Sequence, residues 1–370
     1  MRSAAVIGTG AIGTSIALAL SRQGVVVHLD DVNRTAARTA EAMGAGSLAP
    51  PNAPVDLAVL AVPPAHVGTV LARAQLEGLA RAYTDVASVK AQPHDGVARA
   101  GADSAKYIGG HPMAGTERSG PLAGRADLFE GRPWVLTPSR DTCQETLNRA
   151  LELASLCGGT PVVMDAAAHD RAVALVSHAP HLVSSLMAAR LADAGESSIR
   201  VAGPGVRDVT RIAAGDPGLW GEILDANAAA VADVLDEYAA DLRRTITALR
   251  GLAGTDAARR EHAAAVLDDI LRHGGRGRAR VAHKSGTPLT DLATVPVLVP
   301  DQPGALARLF TAVGEIGVNI EDVRIEHSMD RPRGLVELLV QQQSASALCR
   351  LLDADGWTVA EEAALAADAR

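Results

Sequence analysis

The chain has 370 residues, of which 48% are hydrophobic, 21% are charged and 2% are aromatic. This length exceeds one ordinary core and predicts two or three domains, and the formal net charge of −8 argues against nucleic acid as a partner. Three cysteines without metal-binding spacing predict no metal site and a reducing, cytoplasmic location. No leader and no apolar run of roughly 18 residues are visible, so we expect no membrane segment.

The N-terminal segment has the order strand, tight turn, helix. Residues 4–7 are apolar, a Gly-x-Gly-x-x-Gly motif follows, and residues 14–22 have helical periodicity. In this context the glycines let a pyrophosphate approach backbone N–H groups at the start of the helix. The motif therefore predicts a dinucleotide site formed by Gly8, Gly10, Ala11, Ile12 and Gly13.

A second predicted strand, residues 25–29, ends in two aspartates. An acidic side chain about twenty residues after the glycines can bind both ribose hydroxyls of NAD and would repel a 2′-phosphate. We predict that Asp30 has this role, with Asp31 as the alternative, whereas Arg34 leaves some room for NADP. The predicted cofactor is NAD.

Further apolar runs predict a Rossmann-type doubly wound α/β domain over residues 1–164. Ligands bind at the carboxyl edge of such sheets, so the loops after the strands are candidate binding loops. Val62 and Pro63 follow the third strand and are predicted to contact the cofactor. Ser88 follows the fourth strand and is predicted to contact substrate and cofactor, although serine in such a loop often only caps a helix.

Residues 109–120, GGHPMAGTERSG, follow the fifth predicted strand. Four glycines and one proline predict an irregular loop, which would hold His111 at the same carboxyl edge, near the hydroxyl of Thr116. Such a loop can be purely structural. An imidazole beside a dinucleotide is nevertheless a good candidate for acid–base chemistry.

Residues 165–284 consist of long helical stretches without strand-like alternation. His178 and His181 are three apart and share a helix face, and Pro180 between them predicts a bend. For either histidine alone, a core or interface position is the first interpretation.

A second polar set lies further along this helical region. Arg207 and Arg211 are four apart, which places them on one helical face, and Asp208 lies beside them. An arginine fork suits a carboxylate ligand.

Four motifs carry a family resemblance: SVK, GGHPMAGTE, VSHAPH and RDVTRIA, in this order behind the glycine motif. The chain over about residues 1–285 resembles the prephenate dehydrogenases, including their arogenate-using relatives. One departure is Pro204-Gly205-Val206, where the family commonly has a glycine run followed by phenylalanine. The resemblance implies NAD-dependent oxidative decarboxylation of prephenate to 4-hydroxyphenylpyruvate, in tyrosine biosynthesis, by a homodimer. Arogenate is the alternative substrate, and no sequence feature decides between the two.

The resemblance also implies roles for individual residues. His111 corresponds to the catalytic base, and Ser88 to the serine that binds the substrate hydroxyl and orients this base. The implied substrate contacts are Arg211 for a carboxylate, His178 and His181 near the substrate side chain, Arg207 and Asp208 as a flanking charged pair, and Thr116.

Alternation returns in residues 294–370, where the order βαββαβ predicts a ferredoxin-like module. DQPGALARL and GVNIEDV resemble the ACT domain, a small-molecule regulatory fold. This resemblance implies a tyrosine site at Asp301, Gly304, Asn319 and Ile320. The alternative is a module that only assists dimerisation.

Two other functional classes remain open. A dehydrogenase of the β-hydroxyacid type would lack the RDVTRIA set. A non-catalytic sensor of NAD and an amino acid would be expected to have lost His111 or Ser88, and both residues are present.

Overall fold

The computed structural model describes residues 1–115, 118–281, 291–326 and 333–360 of the chain. Thr116, one of the predicted substrate contacts, lies outside these ranges. The chain divides into two compact units, Met1–Leu242 and Arg243–Arg370.

The first unit contains a seven-stranded sheet with the order β2-β1-β3-β4-β5-β6-β7. Strands β1 to β5 are parallel, β6 runs antiparallel to β5, and β7 is parallel to β6. The strands are β1 Ser3–Ile7, β2 Val26–Asp30, β3 Leu57–Leu60, β4 Tyr83–Asp85, β5 Tyr107–Pro112, β6 Pro133–Thr137 and β7 Thr160–Val163.

Helices cover both faces of this sheet. They are α1 Ala11–Arg22, α2 Arg34–Ala42, α3 Val67–Leu76, α4 Ala91–Arg99 and α5 Gln144–Leu156. Alternate residues of β1 show why two layers form, since Ala4 and Val6 join one buried cluster and Ala5 and Ile7 join another. The predicted doubly wound Rossmann-type domain is confirmed.

The prediction that His111 lies on an irregular loop is wrong. His111 belongs to β5, where it pairs with Val135 of β6. Gly109 and Gly110 occupy this strand because it is crowded: a Cβ on Gly110 would come within 2.5 Å of the backbone oxygen of Asp85. The glycines reflect close packing in a strand, not freedom in a loop.

The helical region begins with α6 Ala166–Val173, a π turn over Ala174–His178, and α7 Ala179–Ala192. The remaining helices are α8 Glu196–Ile199, α9 Pro204–Thr210, α10 Pro217–Ala226, α11 Ala228–Leu252 and α12 Ala257–Ala279. The stretch Ala166–Ala192 is long and apolar enough, by length and composition alone, to cross a membrane. We did not expect any such stretch from the sequence.

The π turn has a local cause. Pro180 has no N–H group, so it cannot continue the regular hydrogen-bond ladder of the helix. The preceding residue, Ala179, instead donates its N–H to the carbonyl of Ala174, five residues back. Single π turns of this kind occur often at functional sites, and this one contains His178.

The second unit includes a four-stranded antiparallel sheet with the order β11-β8-β10-β9. Val295, Val297 and Val299 alternate inward from β8 and are buried beneath two helices. The elements follow the predicted βαββαβ order: β8 Leu292–Pro300, α13 Ala305–Ile316, β9 Asp322–Glu326, β10 Arg333–Gln341, α14 Gln342–Ala354 and β11 Thr358–Val359.

A close contact between α3 and α4 gives a stability prediction. A Cβ on Gly68 would overlap the backbone carbonyl of Gly96, whereas a Cβ on Gly96 would lie 3.6 Å from the nitrogen of Gly68, an ordinary contact. We expect Gly68→Ala to lower the unfolding free energy by about 1–3 kcal/mol through overpacking. Gly96→Ala should be neutral or slightly stabilising, because alanine favours a helix interior. Urea unfolding checks this, and equal stability of the two variants would contradict it.

Candidate active site

The glycine-rich turn forms a cradle at the carboxyl end of β1. Gly8 has a φ of +101°, and a Cβ there would overlap the carbonyl oxygen of Ala61. Helix α1 begins after Gly10 without a side-chain cap and without an acidic residue in its first turn. Its first N–H groups therefore have no side-chain partner, and Ala11 and Ile12, the two predicted cofactor contacts of this helix, lie at this end.

Two features complete the predicted cofactor turn. A Cβ on Gly13 would overlap the carbonyl oxygen of Gly8, so both glycines are needed for the helix to start this close to the strand. Val62 and Pro63 directly follow Ala61, whose N–H donates to Ile7 at 2.7 Å. The loop after β3 thus lies beside the glycine-rich turn.

The two aspartates after β2 face different surroundings. Asp31 accepts hydrogen bonds on Oδ2 from the Thr9 N–H at 2.6 Å and the Thr9 hydroxyl at 2.8 Å. Asp30 instead pairs with Arg34 at 3.7 Å and with Arg73 at 3.6 Å, all three side chains being substantially exposed. The side chain of Asp31, and not that of Asp30, therefore contacts the glycine-rich turn, whereas Asp30 meets it only through its backbone carbonyl, which accepts the N–H of Gly8 at 2.8 Å.

A buried cation lies beneath the strand that carries His111. The ammonium of Lys90 donates to the carboxylate of Asp85 and to the carbonyl of Gly110, and its side chain is fully buried. The hydroxyl of Tyr107 donates to the other oxygen of Asp85 at 2.5 Å. This network joins β4 to β5 and fixes the backbone one residue before His111.

His111 contacts a residue that we did not predict. Its Nδ1 lies 2.8 Å from Nε2 of His169, and Nδ1 of His169 lies 2.7 Å from Oδ1 of Asp170. Ser88 is half-buried between β4 and α4, and within the described ranges it is not the hydrogen-bond partner of His111. The prediction that Ser88 orients the ring is corrected, because His169 holds it.

Asp170 also joins two parts of the first unit. Its Oδ1 accepts the N–H of Lys90 and its Oδ2 accepts the N–H of Ala91, both at 2.8 Å. The carboxylate of α6 therefore caps the start of α4. A signal for this contact exists in the sequence, where a His-Asp pair precedes VSHAPH on the same helical stretch.

His178 is buried and points to a different partner. Nδ2 of Asn227 lies 3.1 Å from Nδ1 of His178 and donates to the carbonyl of Asp170 at 2.8 Å. Burial lowers the pKa of His178 from 6.5 to about 4. His178 is therefore neutral at neutral pH, and the Asn227 amide holds it in place.

His181 forms an aromatic stack. Its ring lies 3.6 Å from that of Trp220 at an angle of 11°, and burial lowers its pKa. Gly215 packs against both rings, since a Cβ there would lie 2.9 Å from Cε1 of His181 and near the indole nitrogen of Trp220. Trp220 was not predicted, because a lone tryptophan in a helical region is more often a core residue.

The predicted arginine fork is only partly helical. Helix α9 ends at Thr210, and Arg211 begins a 3-10 turn over Arg211–Ala214 that leads to Gly215. Arg207 and Asp208 precede it on α9, and all three charged side chains are exposed. The 3-10 turn packs against α7, so Arg211 lies in the segment beside the His181 stack.

The surroundings of His111 favour a neutral ring. Burial, followed by the nearby Lys90 ammonium and the neighbouring imidazoles of His169 and His178, holds its pKa well below 6.5. Its side chain retains some exposure. A neutral imidazole at the carboxyl edge of a nucleotide-binding sheet can act as a general base.

The predicted effector residues lie in the second unit. Gly304 has a φ of +82° at the start of α13, and Nδ2 of Asn319 donates to Glu321 at 2.9 Å. Ile320 is partly buried and packs against the core of the module. Asp301 lines a cavity of about 50 Å³. This cavity is smaller than an amino acid. A larger cavity of about 620 Å³, lined in part by Arg308, Glu315, Arg333 and Trp357, lies in the same module.

The buried histidines predict acid sensitivity. The unfolded chain protonates His178 near 6.5, whereas the folded chain does so only near 4, so the unfolded state binds more protons between these values. The unfolding free energy should therefore fall as pH decreases from about 6.5 to about 4, by at most about 1.4 kcal/mol per pH unit from this group. Urea unfolding at several pH values should show a shallower dependence in His178→Gln. An unchanged slope in this variant would contradict the assignment.

Two family models match the chain. Residues 16–163 match "Prephenate dehydrogenase, nucleotide-binding domain", and residues 165–263 match "Prephenate dehydrogenase, dimerization domain". Together they cover more than half of the chain and include the His111 strand and the histidine helices.

Individual relatives agree with these models. The chain is 44% identical over 359 residues to the probable prephenate dehydrogenase NovF of Streptomyces niveus, covering 96% of this chain and 99% of that protein. It is 32% identical to the cyclohexadienyl dehydrogenase of Zymomonas mobilis, over 68% of this chain and 89% of that protein.

A solved structure extends the similarity to a liganded enzyme. The prephenate dehydrogenase of A. aeolicus, in complex with hydroxyphenyl propionate and NAD⁺, superposes with a TM-score of 0.63 and 25% identity, covering 75% of this chain and 98% of that chain. By the match of its nucleotide-binding and dimerization regions and by its full-length relative, the chain belongs to the prephenate dehydrogenase family.

Proposed function

We propose that the chain catalyses the NAD-dependent oxidative decarboxylation of prephenate to 4-hydroxyphenylpyruvate. The observation that carries this proposal is a neutral, half-buried imidazole, His111, at the carboxyl edge of the sheet on which the cofactor cradle also lies. Family membership and the named relatives support the same activity.

In this proposal the cofactor site, His111 and Ser88 have separate roles in the reaction. NAD bound in the glycine cradle supplies the acceptor for the hydride that leaves ring C4, while the ring carboxylate departs as CO2. The C4 hydroxyl must lose its proton in the same step, and Nε2 of His111 takes it. Ser88, in the loop after β4, hydrogen-bonds the same hydroxyl and contacts the cofactor.

The substrate side chain binds along the helical region in this proposal. Arg211 binds a substrate carboxylate as a charge-assisted donor, and its position beside the His181 stack supports this role. His178 and His181 lie near the pyruvyl group. Arg207, Asp208 and Thr116 complete the predicted substrate contacts.

For the cofactor, we propose that Asp31 binds the adenosine ribose. The pyrophosphate occupies the glycine-rich turn, so the ribose next to it lies within reach of the carboxylate that already contacts Thr9. Asp30, the residue predicted from the sequence, is held by two exposed arginines and is the second candidate.

We propose a homodimer formed through the helical region, in keeping with the description of the matching family model. Large apolar side chains are exposed on the helices of the first unit, among them Leu175, Val176, Leu186 and Met187 on the stretch Ala166–Ala192. An apolar stripe on this stretch fits an interface with a second copy. This reading also accounts for its membrane-like composition.

We propose that the C-terminal module is a ferredoxin-like ACT domain that binds tyrosine as a feedback effector. The strand order β11-β8-β10-β9 with two covering helices supports the fold. The proposed ligand contacts are Asp301, Gly304, Asn319 and Ile320. Because the cavity at Asp301 is only about 50 Å³, this proposal includes a second copy of the module that completes the site.

We place the protein in the cytoplasm, which fits its three free cysteines. Arogenate remains the alternative substrate, since it differs from prephenate only in its side chain, where an ammonium group replaces the ketone. Purified protein should therefore be assayed with NAD and each acid, with and without tyrosine. NADH formation with prephenate supports the proposal, and the absence of NADH with both acids would refute it.

Two substitutions separate chemistry from binding. His111→Asn should lower kcat by about 10² or more with little change in the KM for NAD, because the base is lost.

Arg211→Ala should mainly raise the KM for prephenate, by about tenfold or more, through loss of a charge-assisted contact. Steady-state kinetics distinguish these patterns. Unchanged turnover in the first variant would remove His111 from the mechanism, and a normal KM in the second would reassign the carboxylate site.

A matched pair of variants tests the cofactor assignment. Asp31→Ser should raise the KM for NAD by about tenfold and improve NADP use relative to NAD, because a carboxylate acceptor and its charge are lost. Asp30→Ser should change the KM for NAD less than threefold, because the Asp30 carboxylate forms only exposed ion pairs with Arg34 and Arg73. A larger loss in Asp30→Ser would restore the sequence prediction.

A further inference from the structure

A buried chain of three side chains leads away from His111. Nδ1 of His111 lies 2.8 Å from Nε2 of His169, and Nδ1 of His169 lies 2.7 Å from Oδ1 of Asp170. His169 is 1% exposed and Asp170 is 6% exposed. The rings of the two histidines meet edge to face, with centroids 5.0 Å apart.

The state of Asp170 fixes the direction of these hydrogen bonds. Burial would raise its pKa, but hydrogen bonds from His169 and from the N–H groups of Ala91 and Lys90 outweigh this and lower it. An ionised carboxylate only accepts, so Nδ1 of His169 must carry a hydrogen, and in the neutral His169 ring Nε2 is then an acceptor. His111 therefore carries its hydrogen on Nδ1, which leaves the lone pair on Nε2.

We propose that His169 and Asp170 are positioning residues that hold His111 in the tautomer with a basic Nε2 and receive its positive charge during turnover. This inference rests on the proposed function of His111 as the base. It assigns a role to two residues that the sequence motifs did not single out.

The proton movements balance within the chain of side chains. The substrate hydroxyl proton binds to Nε2 of His111, and the proton on Nδ1 of His111 moves to Nε2 of His169. His111 is then neutral again, and His169 is an imidazolium beside the carboxylate of Asp170. The charge has moved by one residue, and no oxidant or further reactant is required.

Electrostatics favour this displacement. His111 has Lys90, His169 and His178 as neighbours, and a positive charge on it is opposed by burial and by the buried Lys90 ammonium, which pairs with Asp85. A positive charge on His169 lies instead against Asp170. In a buried site such a difference in neighbours has a large effect.

The tautomer can be measured without turnover. With ¹⁵N-labelled histidine, NMR of the wild-type protein should show His111 protonated at Nδ1, the assignment being made by loss of its signals in His111→Asn. In His169→Asn, which cannot reach His111, this preference should disappear. A wild-type His111 protonated at Nε2 would overturn the inference, whatever the activity.

Kinetics test the movement of charge. His169→Gln places an amide oxygen near the position of Nε2, so it can accept the His111 hydrogen but cannot bind a proton. We expect kcat to fall about tenfold in His169→Gln and about 10² or more in His169→Asn, with an unchanged KM for NAD. His262→Gln removes an exposed imidazole on α12 and is the matched control. Its kcat and its KM for NAD should equal those of the wild type.

The pH profile separates this role from a structural one. Without His169 the charge stays on His111 beside Lys90 and cannot pass to a ring that contacts Asp170, so the acidic limb of kcat/KM should move from its wild-type position in both His169 variants. Equal losses of kcat with an unmoved limb, in variants with wild-type melting temperatures, would overturn the inference. If the wild type oxidises neither acid yet shows the Nδ1–H tautomer, the proposed function fails while the tautomer assignment stands.

Discussion

The carboxylate of Asp170 is the contact on which the arrangement of the site depends. It accepts the first N–H groups of α4 and the imidazole of His169, so one buried group joins the helical region to the sheet edge. A carboxylate held by three donors is strongly fixed in position and charge. The placement of His111 relative to the helices that carry His178 and His181 follows from it.

A second buried network keeps the strand of His111 in place. Lys90 lies between Asp85 and the carbonyl of Gly110, which explains why a strand with two adjacent glycines retains its register. A buried ion pair of this kind costs desolvation and is weak evidence for stability. Its effect here is electrostatic, since the Lys90 ammonium contributes to the low pKa of His111.

Much of the fold followed from periodicity and glycine spacing, including the β1–α1 turn and the βαββαβ order of the C-terminal module. His111 was predicted as a site residue on a loop and not on a strand, because two glycines and a proline in sequence indicate a loop until the crowding by Asp85 and Thr137 is known. His169 and Trp220 act through contacts distant in sequence, which no local pattern records. Asp31 and Asp30 are neighbours whose side chains diverge, and only the structure separates them.

The central claim is that Nε2 of His111 accepts the proton of the substrate hydroxyl beside the nicotinamide. A crystal structure of the protein with NAD⁺ and the product 4-hydroxyphenylpyruvate measures this directly. The account predicts the phenol oxygen within about 3.2 Å of Nε2, with Nδ1 still in contact with His169. A phenol oxygen beyond hydrogen-bond reach, with the ring of the product away from His111, would contradict it.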